Sequence, residues 1–238
     1  MKQFTLLLFT VLASTSFILG QDTAEESMPN SGVKEKIENT KNKDHLVIDL
    51  ISYDHWIQNV DGLETKWFSR GFGAYVMYDI QFGKSNFSFA PGIGFNTSNV
   101  FTNMTFDDSV DSLGTVFVPI SDYKQHKIQL SYIDIPLEFR LRTKPNQKSQ
   151  SFKLGIGLKG GIKINALTKL VYKTANDERK IVKNKNFKDL STFRFGPTFR
   201  IGYGNFNFFA YYGVMGLFKN NEGPKVNPLS IGFSLTGF

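Results

Sequence analysis

Three histidines, His45, His55 and His126, and no cysteine make up the chain's stock of groups that titrate near neutral pH or form thiolates. His55 directly follows Asp54, and His126 closes a long loop that also holds Asp107. A histidine held by a carboxylate can serve as a general base, and this is the arrangement a lipid-modifying or proteolytic site would need. Solvated loop histidines are the simpler reading. The run "FDDSVDS" offers Asp107, Asp108 and Asp111 as oxygen ligands for calcium, but lacks the spacing and the glycine of a calcium loop. No glycine-rich phosphate loop leads from a strand into a helix. These residues specify no catalytic group, no cofactor and no metal.

A second set of charged residues follows a period of two. In "FKLGIGLKGGIKI", Phe152 to Ile164, the even positions are apolar or glycine, while Lys153, Lys159 and Lys163 share the odd ones with glycines. "SYIDIPLEFRLR" sets Ile133, Ile135, Leu137, Phe139 and Leu141 against Asp134, Pro136, Glu138, Arg140 and Arg142. "FRFGPTFRIGY" places Arg194 and Arg200 opposite a face of Phe193, Phe195, Phe199 and Ile201, and "GFGAYVMYDIQF" places Asp79 opposite Phe72, Val76, Ile80 and Phe82. An unpaired buried charge costs several kcal/mol, so such faces must neutralise one another. The candidates for an ion-pair network are Asp79, Asp134, Glu138, Arg140, Lys159, Lys163, Arg194 and Arg200.

The elements that must hold these residues are strands. Eight alternating runs occur, starting with the least regular, "HLVIDLISY", and ending with "LSIGFSLTGF". Their connections alternate between long and short, which is expected of an all-β, eight-stranded antiparallel up-and-down transmembrane β-barrel with its long loops on one side of the membrane. Within hydrocarbon every backbone group must be paired, and tilted strands of about ten residues can cross. The apolar face then meets lipid and the charged face fills a lumen just wide enough for side chains. The glycines make room for the long basic groups, and a filled lumen fits the charges better than a pore.

Residues 1–20 have the early Lys2, short apolar core and small-residue exit of a signal peptide. Residues 21–43 are poor in apolar groups and read as a disordered periplasmic tether, so the barrel occupies 44–238. Export without cysteine excludes disulfide staples. The net charge of +7 falls to +6 once Lys2 is removed, a mild excess that export and the lack of a reader motif separate from nucleic acid. An even strand number puts the tether and Phe238 on the periplasmic side.

Among 24 phenylalanines and further aromatics, Trp56, Trp67, Phe68, Tyr75, Tyr172 and Tyr203 are candidates for interface girdles. Pro91, Pro136 and Pro197 fall inside strand runs and predict a bulge or register break at each. The third long loop, Lys173 to Asp189, has six basic and three acidic residues, a net of +3, and Arg179, Lys180, Lys183 and Lys185 are its candidates for contact with lipid phosphates.

"YIDIPLEFRLRT", Tyr132 to Thr143, with "FAPGIGF", "GIGLKGG", "FRFGPTFRIGYG" and the terminal Phe238, resembles the strands of the PorT-like outer-membrane β-barrel proteins of Bacteroidota. The resemblance covers 44–238 and implies an exported barrel in the cell outer membrane. It also implies recognition by barrel-assembly machinery through the strand ending in Phe238. Leu235, Phe233 and Ile231 have the opposite parity to that signal, which a bulge at Gly237 would repair. The expected role is a non-enzymatic structural or interaction component of the envelope, with outer-membrane lipid, lipopolysaccharide and other envelope proteins as partners. A PorT-like accessory role in secretion, a narrow solute channel and a rim-located enzyme are the alternatives.

Overall fold

The computed structural model describes residues 44–107, 114–144, 150–174, 177–185 and 187–236. The signal peptide, the tether, Asp108, Asp111, Gly237 and Phe238 lie outside the described residues. In chain order the strands are β1 (Asp44–Gln58), β2 (Arg70–Tyr78), β3 (Ile80–Gln81), β4 (Phe87–Phe101), β5 (Met104–Asp107), β6 (Val116–Pro119), β7 (Tyr123–Arg142), β8 (Phe152–Lys173), β9 (Arg179–Asn184), β10 (Phe193–Tyr203), β11 (Phe206–Tyr212) and β12 (Val226–Thr236). Eight of them, β1, β2, β4, β7, β8, β10, β11 and β12, form an antiparallel ring. The ring closes where Val47 pairs with Thr236 and Gln58 with Val226. The expected eight-stranded barrel is what the chain forms.

Its faces are inverted relative to a soluble sheet. On β7, Phe139 is 63% exposed while Asp134, on the opposite face, is fully buried. That is the apolar-out, polar-in alternation of a barrel in hydrocarbon. Outward apolar residues form a belt that runs from Phe87, Phe139, Phe152 and Phe206 beside the short turns up to Phe95, Ile133, Ile162 and Phe193. β7 and β8, of 20 and 22 residues, continue well past this belt on the long-connection side. At the other rim β10 and β11 are joined by Gly204 and Asn205, and Gly204 takes the left-handed φ of 57° that a side chain would resist.

The irregularity of β1 has one cause. A bulge between Asp49 and Ser52 sends both Leu50 and Ile51 outward. Below it Val47 and Asp49 face the lumen, and above it Ser52, Asp54 and Trp56 do. A second shift, opposite Ser131 and Tyr132 of β7, lies on β8 near Ile164.

The prolines correct the sequence expectation. Each sits in an unshifted register: Pro91 opposite Leu137, Pro136 opposite Lys159 and Pro197 opposite Leu158. The missing donor interrupts a ladder instead of displacing it. β2 gives way to β3 near Pro91, the β4–β7 pairing skips from Leu137 to Asp134 around Pro136, and the β10–β11 ladder stops at Thr198, next to Pro197.

The long connections are also more than loops. Within 99–127, β5 and β6 form a hairpin, and within 173–190, β9 pairs with the upper edge of β8. The hairpin, with the ends of β1, β4, β7 and β12, encloses an apolar cluster of Trp56, Leu63, Val100, Met104, Phe106, Ile128, Leu130, Tyr132, Leu190, Leu217, Phe218 and Val226, whereas every residue of β9 is exposed. β11 ends at Tyr212 and not near Phe218, because Leu217 and Phe218 turn into this cap. Two girdle candidates are reassigned: Trp56 belongs to the cap, and Tyr75 faces the lumen. Trp67, Phe68 and Tyr203 remain exposed, and Tyr172 is half-buried.

Candidate functional site

The lumen holds its charges in two tiers. In the lower one Glu138 of β7 accepts from Arg140 Nε at 3.0 Å and from Arg200 Nε of β10 at 3.4 Å. Arg200 also pairs with Asp49 of β1 at 3.2 Å and donates to Ser234 of β12. Asp79 pairs with Arg142, stands 3.7 Å from Arg140 and accepts from Ser88 at 2.9 Å. Five strands of the barrel, β1, β4, β7, β10 and β12, are thereby tied together through their side chains as well as their ladders.

In the upper tier Asp134 accepts from Arg194 Nε at 2.9 Å and makes a second bond to the same guanidinium. Lys159 stands 4.0 Å from Asp134 and donates to Tyr75 at 3.4 Å. Aromatic rings take up part of the positive charge. The Lys159 ammonium lies 4.1 Å from the Tyr211 ring centre and the Arg194 guanidinium 3.9 Å from that of Tyr132. Such cation–π contacts gain strength when desolvated.

Glycine makes room here for the acids more than for the bases. A Cβ at Gly161 would lie 2.1 Å from an Asp134 oxygen, and one at Gly71 would lie 2.4 Å from an Asp54 oxygen. Against Arg200, a Cβ at Gly155 would sit at an ordinary 3.5 Å. Among the described residues, two small lumenal cavities, of about 30 Å³ beside Arg140, Arg142 and Arg200 and about 10 Å³ beside Tyr75 and Lys159, have room for a water or two.

Of the eight ion-pair candidates, Asp79, Asp134, Glu138, Arg140, Lys159, Arg194 and Arg200 meet in this network. Lys163 does not. It donates to the Leu190 carbonyl at 2.8 Å, tying the wall to the cap, and makes no ion pair among the described residues. Reading the sequence missed Asp49, because the β1 bulge reverses parity one residue beyond it. It also left Tyr132 and Tyr211 unassigned, although their parity matches Asp134 and Asn207.

Above the lumen the cap is aromatic. The Phe106 ring of β5 lies 6.1 Å from that of Trp56, 5.2 Å from Phe117 of β6, 5.5 Å from Phe187 and 5.4 Å from Phe218. His126, on the part of β7 above the belt, is buried beside it with Nδ1 3.3 Å from the Thr102 carbonyl. Burial pushes this imidazole down to about 4, against the pull of that hydrogen bond.

The residues that could have formed a rim enzyme are not brought together. Asp54 faces the lumen and accepts from Ser52 and Ser230, each at 2.7 Å. His55 is on the opposite face of the same strand, stacked on Tyr53 at 6.0 Å. Asp107 ends β5, and His45 lies at the start of β1. The loop cations separate as well. Arg179 and Lys183 share one face of β9, Lys180 takes the other and Lys185 follows the strand.

Residues 27–220 match the family model for the outer membrane protein beta-barrel domain. No curated protein matches the chain. Among solved structures, two of Ail, the attachment invasion locus protein of Yersinia pestis, are similar at 12% identity over 82% of this chain. One, in complex with the heparin analogue sucrose octasulfate, is covered over 98% of its length with a TM-score of 0.34. The other is covered over 99% with a TM-score of 0.33.

Proposed function

The chain belongs to the outer membrane protein β-barrel domain family, and from that premise we propose that it is a non-conducting, non-enzymatic barrel acting as a structural or interaction component of the cell envelope. One observation carries this reading: the lumen is occupied from wall to wall by paired charges and is overlain by an apolar cap. A solute would have to break ion pairs such as Arg194 with Asp134, then pass the ring cluster around Phe106. Breaking a buried pair costs about 3–5 kcal/mol, and a conducting path would require several at once.

Planar-bilayer recording on the purified full chain tests this. The expected trace stays at baseline across the voltage range. Discrete, reproducible conductance steps from the wild-type protein would overturn the reading in favour of a narrow channel. A narrower role, as a PorT-like accessory factor in protein secretion, is favoured by the run Tyr132 to Thr143. It expects that deleting the gene depletes a defined set of secreted proteins from the culture medium while surface integrity is retained. An unchanged secretome would remove it and leave the general envelope role.

A further inference from the structure

The registers of three strands set lysines in a line. On the face opposite the cap, Lys127 of β7 pairs with Lys169 of β8, and Lys169 pairs with Lys183 of β9. Phe101 of β4 continues the row on the other side of Lys127. Like charges directly opposite on one sheet face are destabilising, and no cross-strand partner within this row is a carboxylate. The Lys127 ammonium donates to the Asn99 side-chain oxygen at 2.9 Å, a neutral partner that leaves the charge in place. Burial and the adjacent Lys169 charge together push that ammonium below its ordinary range.

The level of the row bears on what could neutralise it. Between it and the apolar belt lie two mainly polar rows, one of Asn99, Gln129 and Leu167 and one of Thr97, Ser131 and Asn165. The lysines therefore stand beyond the hydrocarbon, on the side of the long connections. Next to the row, Phe68 lies 4.9 Å from Phe101, and the exposed Trp67 packs edge-on against Phe68 at 6.0 Å. Exposed tryptophan of this kind marks a membrane–water boundary.

We propose that Lys127, Lys169 and Lys183 form a binding row for the phosphate groups of lipopolysaccharide in the outer leaflet. The row lies along the outer wall of the barrel at headgroup level, where an anionic lipid surface meets it laterally and removes the repulsion among its members. Arg179 shares the face but pairs across strands with Lys173, which is already bonded to Asp177 at 2.5 Å. Lys180 faces away. The inference needs the outer-membrane placement but not the sealed lumen, so a conducting barrel would leave it standing.

The test uses the full-length protein refolded into phosphatidylethanolamine vesicles with and without lipopolysaccharide. A Lys127→Gln, Lys169→Gln, Lys183→Gln triple variant is compared with wild type and with a Lys84→Gln, Lys144→Gln, Lys225→Gln control. Three cations near an anionic surface predict at least about a tenfold loss of retained lipopolysaccharide in the first triple variant and none in the control. The rise in unfolding midpoint that lipopolysaccharide gives wild type should vanish in the variant, whose midpoint without lipopolysaccharide should equal or exceed that of wild type because the repulsion is gone. If the triple variant does not refold, Lys169→Gln alone, at the centre of the row, should lose retention several-fold. Wild-type retention in these variants overturns the proposal. So does an equal midpoint rise with dephosphorylated lipopolysaccharide, or with soluble pyrophosphate, which would make the row a general anion site and not a lipid one.

Discussion

Arg194 of β10 and Asp134 of β7 meet over Gly161 of β8: both residues pair with that glycine from opposite sides, and their side chains join across it. The strand between them has no side chain at the one position where a side chain would separate them. Gly155 likewise pairs with both Arg140 and Arg200, with Glu138 bonded to both guanidinium groups, but a Cβ there would meet only ordinary contacts.

Gly161→Ala should therefore destabilise the barrel by about 1–3 kcal/mol, the usual range for forcing a methyl group into filled space. Gly160→Ala is the matched control, since a Cβ there meets nothing within 4 Å. The unfolding temperature in detergent gels reads the difference. Equal temperatures for the two variants would mean that Asp134 can move away from β8 without loss.

Glu138→Leu should lower the same temperature far more than Glu222→Leu, which changes an exposed side chain. It leaves Arg140 without its nearest carboxylate and Arg200 with Asp49 alone, a loss on the order of 3 kcal/mol. An effect no larger than that of the control would indicate a lumen wet enough to solvate the arginines.

The cap should loosen in acid through His126. Its folded value of about 4 lies below the ordinary 6.5, so the neutral form is the one the fold favours. Stability from this source is complete above about pH 6.5 and is lost as pH falls towards 4. In a Trp67→Phe background the emission of Trp56 should shift to the red across that interval, because Trp56 sits in the cap. His126→Asn should flatten the change, and a shift that persists in that variant would assign it to other groups.

Orientation can be read with tags. An epitope inserted between Asp177 and Glu178, beside β9, should label intact cells, while one between Lys84 and Ser85, in a short turn, should require a broken envelope. The reverse labelling would invert the barrel and move the cap to the periplasm.

The wall was legible because its signal is local and periodic: Ile133 to Leu141 alternate with Asp134 to Arg142, and a closed sheet in hydrocarbon needs only that alternation. Seven of the eight predicted ion-pair residues follow from the same parity. The cap was not legible because Trp56, Leu63, Phe106, Leu190 and Phe218 come from the end of β1 and from separate connections with no common period, and Phe218 reads as the end of a strand run and not as part of a cluster. Strand β9 was hidden by its charge, which suggested a solvated loop, although β8 lends it an edge to pair with. Asp49 was hidden by a single extra residue in β1, which exchanges inside for outside within one step.

The cap also gives the barrel a latch. The first and last wall strands meet at a seam held by their ladder, and Trp56 from one side of it and Val226 from the other are both built into the aromatic cluster. Asp54 and Ser230 bond across the same seam lower down, and Arg200 reaches both Asp49 and Ser234 on its two sides. Sideways parting of β1 from β12 would have to pull apart a packed aromatic cluster as well as a ladder of hydrogen bonds. A chain threaded through the membrane with its ends still unpaired can close easily, whereas one whose cap has set cannot reopen at the seam without first unpacking it.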